Sequence, residues 1–295
     1  MSALKKRYLK FIHKQETIGQ KFQDKKKQLQ NFYLPLCNKL FKSYKSKNRP
    51  LLIGLSGSQG SGKSTISQIL KMIFHSNFKL NVVCFSIDDF YKTFSERKEL
   101  SESLHPLFMT RGVPGTHDSK MLFNTIKTLL KKNFRKIKIP KFEKSIDDRL
   151  RNKYWQKVKK KPDIIIFEGW CVGAKPQSLR ELKKPINILE KEEDTKLTWR
   201  KKVNNELRTN YKKIYNLLDK KIYLKVPNFK YVLKWRLLQE KKLRLKSKKK
   251  AMTDNQVKRF IMFYERLTKN MAKDHKNYDA VVIIDKSHKI KSIRF

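Results

Sequence analysis

The chain has 295 residues, of which 39% are hydrophobic and 11% aromatic, enough for one large apolar core or two small ones. This composition excludes an intrinsically disordered and a collagen-like protein. The formal net charge is +46, and the basic residues are 57 Lys but only 15 Arg. Proteins that read nucleic-acid grooves rely on Arg, so this composition favours a solvated basic surface. Non-specific polyanion binding is the alternative.

The N-terminal residues are basic, and no apolar segment follows them that resembles a signal peptide or approaches the ~18 residues of a membrane span. Cys37, Cys84 and Cys171 are widely spaced and form no C-x-x-C pair, so we expect neither disulfides nor a zinc site. These features predict a cytoplasmic protein without a membrane partner. A basic transit peptide is the alternative, although such peptides favour Arg and Ser over Lys.

Residues 1 to about 47 have a helical pattern, which we divide into two polar-rich segments that separate near Asn31. After Pro50 the pattern changes to short apolar runs that alternate with helical segments. Runs that are apolar on both faces and separated by helices predict a buried parallel sheet, and hence an α/β fold. The runs are Leu51 to Ser56, Asn81 to Ile87, Asp163 to Phe167, Lys221 to Val226 and Ala280 to Ile284.

The first run leads directly into a phosphate-binding motif, G-x-x-x-x-G-K-S, which a helix-compatible segment follows. Glycines in such a loop let backbone N–H groups turn toward an anion, at the positive end of the next helix. Lys63 is expected to reach the β- and γ-phosphates of ATP, and Ser64 to hold Mg²⁺. A Gly-rich turn without a ligand is the alternative. The residues predicted to bind the nucleotide are Gly57, Ser58, Gln59, Gly60, Ser61, Gly62, Lys63, Ser64 and Thr65.

Acidic residues end two of the other predicted strands. Glu168 follows the run that begins at Asp163, where a Walker B acid would position the metal; an ordinary strand-end acid is the alternative. Asp88 and Asp89 follow the run that begins at Asn81. A carboxylate at this edge suits a base that accepts a hydroxyl proton during phosphoryl transfer, and one of the two acids is also suited to capping a helix.

These motifs, in this order, resemble the phosphoribulokinase, uridine kinase and pantothenate kinase superfamily, and within it the D-glycerate 3-kinase branch of plants, fungi and cyanobacteria. The resemblance runs from about Phe32 to the C-terminus. It rests on S-I-D-D-F-Y (86–91), R-G-V-P-G-T-H-D (111–118), P-K-F-E-K-S (140–145), F-E-G-W-C-V-G-A-K-P (167–176), V-N-N-E-L (203–207), K-W-R-L-L-Q-E (234–240) and M-T-D-N-Q-V (252–257).

The resemblance implies a P-loop NTPase-type parallel sheet flanked by helices, with an N-terminal helical extension (1–48), a kinase domain (49–295) and a helical lid at about 229–256. It implies that Asp88 is the catalytic base and Glu168 the Walker B acid. The lid would bring Arg236 and Arg244 over the phosphates. The stretches that shape the acceptor site contain Arg111, His117, Asp118 and Arg149.

The implied function is an ATP- and Mg²⁺-dependent transfer to a hydroxyl of a small acid, the 3-hydroxyl of D-glycerate. The alternatives are another small-molecule kinase, for nucleosides, pantothenate or sugar phosphates, and a nucleotide-dependent nucleic-acid-binding protein. The sequence departs from the family at two points. It reads S-K-K-K-A-M-T-D (247–254), where relatives have a glycine-containing turn, and Asp147-Asp148-Arg149, where they have G-D-R.

Overall fold

The computed structural model describes residues 3–16, 22–246 and 252–295. The helices in these ranges are α1 (Ala3–Gln15), α2 (Lys25–Gln28), α3 (Leu34–Lys45), α4 (Lys63–Phe78), α5 (Phe94–Ser103), α6 (Ser119–Leu129), α7 (Leu179–Lys183), α8 (Ile188–Glu192), α9 (Thr198–Glu206), α10 (Lys212–Tyr215), α11 (Phe229–Lys246) and α12 (Asp254–Lys273). The strands are β1 (Leu51–Gly57), β2 (Val82–Ser86), β3 (Ile137–Ile139), β4 (Phe142–Glu143), β5 (Asp148–Arg149), β6 (Gln156–Val158), β7 (Ile164–Gly169), β8 (Lys220–Lys225), β9 (Ala280–Ile284) and β10 (Ile290–Arg294).

The main sheet has the strand order β10-β9-β8-β1-β7-β2. All neighbours pair in parallel except β9 and β10, which form an antiparallel edge. The five apolar runs are all strands of this sheet, so the predicted α/β fold is confirmed. Three features went unpredicted, namely the edge strand β10 and the two small antiparallel pairs, β3 with β6 and β4 with β5.

Both faces of the sheet are covered, as the unbroken apolar runs require. Side chains of β1 alternate between the two cores: Leu52 packs into the core shared with α6 and α12, whereas Leu51 and Ile53 pack into the core shared with α1, α3 and α4. Strand β7 alternates in the same way. Since the central strands are held on both sides, their carboxyl ends form a rigid edge for the site.

The N-terminal helical region was predicted correctly as helix but divided at the wrong place. Helix α1 ends at Gln15 and α2 begins at Lys25, whereas Asn31 lies within a π-helical turn, Leu29–Tyr33, that continues directly into α3. The chain therefore stays helical through Asn31, in a π-helical turn that is wider than an α-helix.

Local capping explains where several helices begin. At the start of α12, Thr253 accepts a hydrogen bond from the Gln256 N–H at 3.2 Å, and Gln256 Oε1 accepts one from the Thr253 N–H at 2.8 Å. Helix α11 and the start of α12 fall within the predicted lid. Residues 247–251 of the lid lie outside the described residues, and with them part of the segment 247–254 in which the sequence departs from the family. No helix within the described ranges is long and apolar enough to cross a membrane.

Candidate active site

The phosphate-binding motif forms the loop between β1 and α4, as predicted. Gly60 and Gly62 have φ angles of +74° and +87°, a backbone conformation that residues with a Cβ rarely adopt. The loop curls so that Lys63 Nζ donates a hydrogen bond to the Ser58 carbonyl at 3.0 Å. The ammonium group thus lies over the space that the loop encloses.

Several polar side chains of this loop are buried without a hydrogen-bond partner in the described structure. They include Ser58 Oγ, Gln59 Oε1 and Ser61 Oγ. Buried polar atoms are nearly always paired in folded proteins, so each unpaired one calls for an explanation. The hydroxyls of Ser58 and Ser61 can donate to the oxygens of a polyphosphate, so the loop fits the nucleotide that its sequence predicts.

Glu168 faces this loop from the neighbouring strand. The β1–β7 register pairs Leu55 with Glu168, and Ser64 Oγ, in the first turn of α4, donates to Glu168 Oε1 at 2.5 Å. Burial raises the pKa of Glu168, against the attraction of Lys63 and the hydrogen bond from Ser64. Burial lowers the pKa of Lys63, against the attraction of Glu168 and Asp88. Each charge therefore partly stabilises the other.

Ser64 and Glu168 would hold Mg²⁺ through their oxygens, which are the ligands that this ion prefers. Across the described residues, no group of three or more His, Cys, Asp or Glu side chains could hold a metal ion. Mg²⁺ usually binds through one or two carboxylates and takes its other ligands from phosphates and water. Ser64, in the first turn of α4, and Glu168, near the end of β7, fit this pattern.

Asp88 and Asp89 belong to one short 3₁₀ turn, Ile87–Phe90, but their side chains have different surroundings. Asp89 accepts a hydrogen bond from the Ser86 N–H at 3.2 Å, completing a capping box, and pairs with Lys141 at 2.9 Å. Asp88 instead accepts hydrogen bonds from Tyr91 OH at 3.0 Å and from Lys144 Nζ at 2.7 Å. Asp89 therefore caps the turn, whereas the Asp88 carboxylate contacts the side chains of Tyr91 and Lys144.

The charges around Asp88 keep it ionised. Burial acts to raise the pKa of this carboxyl, but the Lys144 ammonium, with a contribution from Lys63, holds it well below its usual range. Asp88 in turn raises the pKa of Lys144. The arrangement provides an ionised carboxylate close to the Lys63 end of the loop, where a transferred phosphoryl group would lie.

His117 packs behind Tyr91 as part of the wall next to Asp88. Its ring stacks on Tyr91 with centroids 4.5 Å apart, and its Nδ1 lies 2.6 Å from the Tyr211 hydroxyl. Burial lowers the pKa of His117 to about 3, against the attraction of Asp88. The imidazole is therefore neutral at ordinary pH.

The other residues predicted at the acceptor site are held by protein partners. Arg111 forms an ion pair with Asp147. Arg149 Nη2 donates to the Tyr91 carbonyl at 2.8 Å. Asp118 caps α6 by accepting from the Met121 N–H at 2.9 Å. The structure thus places Arg149 against Tyr91, holds Arg111 on Asp147 and uses Asp118 as a helix cap.

Both lid arginines form ion pairs within the helical segments of the lid. Arg236 pairs with Glu240 one turn further along α11, and its guanidinium lies 5.7 Å from the centre of the Phe260 ring. Arg244 pairs with Asp254 at the start of α12. In this conformation each guanidinium is engaged by a carboxylate of the lid.

Sequence reasoning missed three side chains of the site: Lys144, Tyr91 and Tyr211. The first two contact Asp88 directly, and Tyr211 contacts His117. Lys144 and Tyr91 lie inside two motifs that carry the family resemblance, so the signal was present. Nothing in the sequence indicated that Lys144, 56 residues further along, would reach Asp88.

Comparison with known proteins places these features in a family. The profile of the Phosphoribulokinase / Uridine kinase family matches residues 52–202. The chain is 34% identical over 233 residues to an uncharacterized kinase of Schizosaccharomyces pombe, mug58, covering 76% of this chain and 82% of that protein. It is 30% identical over 256 residues to the chloroplastic D-glycerate 3-kinase of Arabidopsis thaliana, covering 81% of this chain and 53%, about half, of that protein. A solved structure of D-glycerate 3-kinase from Cryptococcus neoformans var. grubii superposes with a TM-score of 0.76 at 25% identity, covering 89% of this chain and 98% of that one.

Proposed function

This chain belongs to the phosphoribulokinase and uridine kinase family, and we propose that it transfers the γ-phosphoryl group of ATP to the 3-hydroxyl of D-glycerate. The observation that carries the proposal is the position of Asp88, an ionised carboxylate beside Lys63 with the cation Lys144 in contact with it. A base next to the transferring phosphate suits a hydroxyl acceptor. A cation beside that base suits an acceptor that carries its own carboxylate.

The nucleotide would be held by the loop itself. Backbone N–H groups of the loop and the Lys63 ammonium would bind the phosphates, with Ser58 and Ser61 offering their unpaired hydroxyls. Mg²⁺, held through Ser64 and Glu168, would neutralise charge on the phosphates. Because Lys63 and Asp88 attract each other across the site, a γ-phosphate bound by Lys63 would lie on the side of Asp88.

Asp88 then acts as the base. Its carboxylate accepts the proton of the acceptor hydroxyl while that oxygen forms a bond to the γ-phosphorus and the bond to the ADP oxygen breaks. The low pKa of Asp88 ensures that the carboxylate is ionised before the acceptor binds. ADP leaves with the electrons of the broken bond, and the phosphorylated acceptor leaves after Asp88 returns the proton to water.

Lys144 is the cation best suited to the carboxylate of the acceptor. Arg111 and Arg149 are held by Asp147 and by the Tyr91 carbonyl, whereas the Lys144 side chain is 62% exposed. An ammonium has three donors, so Lys144 could bind Asp88 and an acceptor carboxylate together. A neutral polyol of the same size would lack this interaction.

An acceptor panel tests the proposal. ATP turnover would be measured with D-glycerate, L-glycerate, glycerol, pantothenate and uridine, and the products identified by ³¹P NMR. We expect D-glycerate to be the best acceptor, with 3-phosphoglycerate as product, and glycerol to react poorly. Faster turnover of pantothenate or uridine would replace D-glycerate with that acceptor on the same scaffold. Lys63→Ala serves as the control for background hydrolysis.

A further inference from the structure

A series of side-chain contacts joins the N-terminal helices to the phosphate-binding loop. Gln28, the last residue of α2, donates from Nε2 to the Ile290 carbonyl at 2.9 Å and accepts from the Ile290 N–H at 2.9 Å. Strand β10 is the edge of the sheet, so its outward backbone groups lack a strand partner at that side. The Gln28 amide takes the place of that partner and fixes the beginning of β10.

A second contact fixes the same turn. Lys289 Nζ, next to Ile290, lies 2.9 Å from Asp24 Oδ2 at the start of α2. Helix α2 therefore holds two successive residues of the turn that leads from β9 into β10.

The residue before these two touches the phosphate-binding loop. His288 Nε2 lies 2.9 Å from the Gly60 carbonyl oxygen, and because a carbonyl only accepts, Nε2 carries the proton. The Trp235 ring of α11 contacts the His288 ring, with centroids 3.9 Å apart and the planes tilted by 32°. A Cβ on Gly60 would lie 3.0 Å from Trp235 Cβ. Gly60 is thus enclosed by the turn on one side and the lid helix on the other.

Holding the Gly60 carbonyl also orients the next N–H group. In a trans peptide the C=O of one residue and the N–H of the next lie in one plane and point in opposite directions. The Ser61 N–H points across the loop to the Ser58 carbonyl at 3.3 Å, the same oxygen that Lys63 Nζ approaches at 3.0 Å. His288 therefore helps to keep the Ser61 N–H on the Ser58 carbonyl, the contact that closes the curl of the loop.

We propose that Gln28 is a positioning residue for nucleotide binding. By holding Ile290 it fixes the turn that presents His288 to Gly60, and this contact holds the Gly60–Ser61 peptide, and with it the curled shape of the phosphate-binding loop. The proposal assigns a role in ATP affinity to the N-terminal helices. It requires a nucleotide at the loop but no particular acceptor, so it is independent of the proposed D-glycerate specificity.

The test compares two substitutions of the same kind. Gln28→Met removes both hydrogen bonds and preserves side-chain length, whereas Gln30→Met changes an exposed glutamine two residues further along the same helical run. The Kd of ATP with Mg²⁺ would be measured by calorimetry without an acceptor, together with Tm. We expect Gln28→Met to raise Kd about 3- to 10-fold, the range for losing one or two hydrogen bonds, and Gln30→Met to leave it within about twofold. If both variants bind ATP equally well, whatever their Tm, Gln28 is only a stabilising contact and the proposal is wrong.

A double-mutant cycle tests whether the effect passes through His288. His288→Ala should raise the Kd of ATP by itself. Adding Gln28→Met to that variant should then change Kd by less than about twofold, because the contact that Gln28 supports has already been removed. An undiminished effect of Gln28→Met in the His288→Ala background would overturn the proposed path. Since no acceptor enters these measurements, failure here is distinct from failure of the acceptor panel.

Discussion

The adjacent carboxylates Asp88 and Asp89 should respond very differently to the same substitution. Asn preserves shape and one acceptor oxygen but cannot take up a proton. At position 88 it removes the proposed base, whereas at position 89 it removes a charge from a turn-capping side chain. The pair therefore provides a matched comparison within a single 3₁₀ turn.

The expected magnitudes follow from the contacts. Positioned general bases contribute roughly 10²–10⁴ to rate, so Asp88→Asn should lower kcat by that factor. Its stability should change little, because Lys144 is 62% exposed and such ion pairs contribute only about 0–1 kcal/mol. In Asp89→Asn the retained oxygen can still accept from Ser86, so the loss is mainly the 2.9 Å ion pair with Lys141, about 1 kcal/mol, or ~2 °C in Tm.

The assay measures kcat for both variants with saturating acceptor and ATP, the Kd of ATP and the Tm. We expect Asp88→Asn to fold and bind ATP normally while turning over slowly, and Asp89→Asn to retain kcat within about tenfold. A larger kcat loss at position 89 than at position 88, with ATP binding intact in both, would show that the roles of the two carboxylates are reversed.

Four further predictions concern separate parts of the molecule. Lys63→Ala should abolish phosphoryl transfer while the circular dichroism spectrum stays native; turnover near the wild-type level would make the loop structural. When the lid closes, Arg236 and Arg244 would exchange their ion pairs with Glu240 and Asp254 for contacts with the phosphates. Arg236→Ala and Arg244→Ala should therefore each lower kcat by ~10²-fold or more, with a smaller change in ATP affinity. If kcat were unchanged in both variants, the lid segment would be an ordinary basic helix. In the folded protein His117 is neutral, with a pKa of about 3, whereas it titrates near 6.5 in the unfolded chain. Its contribution to the free energy of unfolding is therefore present above pH 6.5 and lost as the pH falls toward 3, with a slope approaching about 1.4 kcal/mol per pH unit. Chemical denaturation of His117→Gln at several pH values should show a flatter dependence. Finally, the net charge of +46 should give weak oligonucleotide binding that disappears as salt rises, whereas tight, sequence-selective binding near 150 mM salt would favour a nucleic-acid function.

Features with a local cause were predictable from the sequence. The central apolar runs are buried on both faces, so their positions as strands follow from the pattern of apolar residues along the chain. The G-x-x-x-x-G-K-S motif sits between such a run and a helix, and its loop is determined by residues that are adjacent in the chain. The same reasoning assigned Glu168 to the end of β7, where it contacts Ser64 at 2.5 Å.

Features that depend on distant residues were not predictable. The edge strand β10 carries the charged side chains of Lys291 and Arg294, so its pattern resembles a loop, and it is held partly by Gln28 from the other end of the chain. Lys144 reaches Asp88 only because the β4–β5 hairpin folds over the site. The polar stretch around Asn31 resembled a helix boundary, yet packing of Leu29 and Tyr33 into the core keeps the chain helical there.

The departure at position 147 illustrates how a local and a tertiary effect compete. Asp147 has a φ of +54°, a conformation that costs a non-glycine residue about 1–2 kcal/mol and that the glycine expected here from the family resemblance adopts without this cost. Its carbonyl accepts from Arg97 Nη2 at 2.6 Å, and its carboxylate lies 3.0 Å from that fully buried guanidinium and also pairs with Arg111. The Asp147 carboxylate is 35% exposed, so each of these ion pairs contributes about 1 kcal/mol or less, and together they offset the backbone strain. A glycine there would relax the turn but release Arg111, whose guanidinium the Asp147 carboxylate holds over the Phe142 ring at 5.5 Å. Asp147 therefore keeps one arginine of the proposed acceptor site in a single orientation, and leaves Lys144, which pairs with Asp88 but is 62% exposed, as the cation best suited to reach the acceptor.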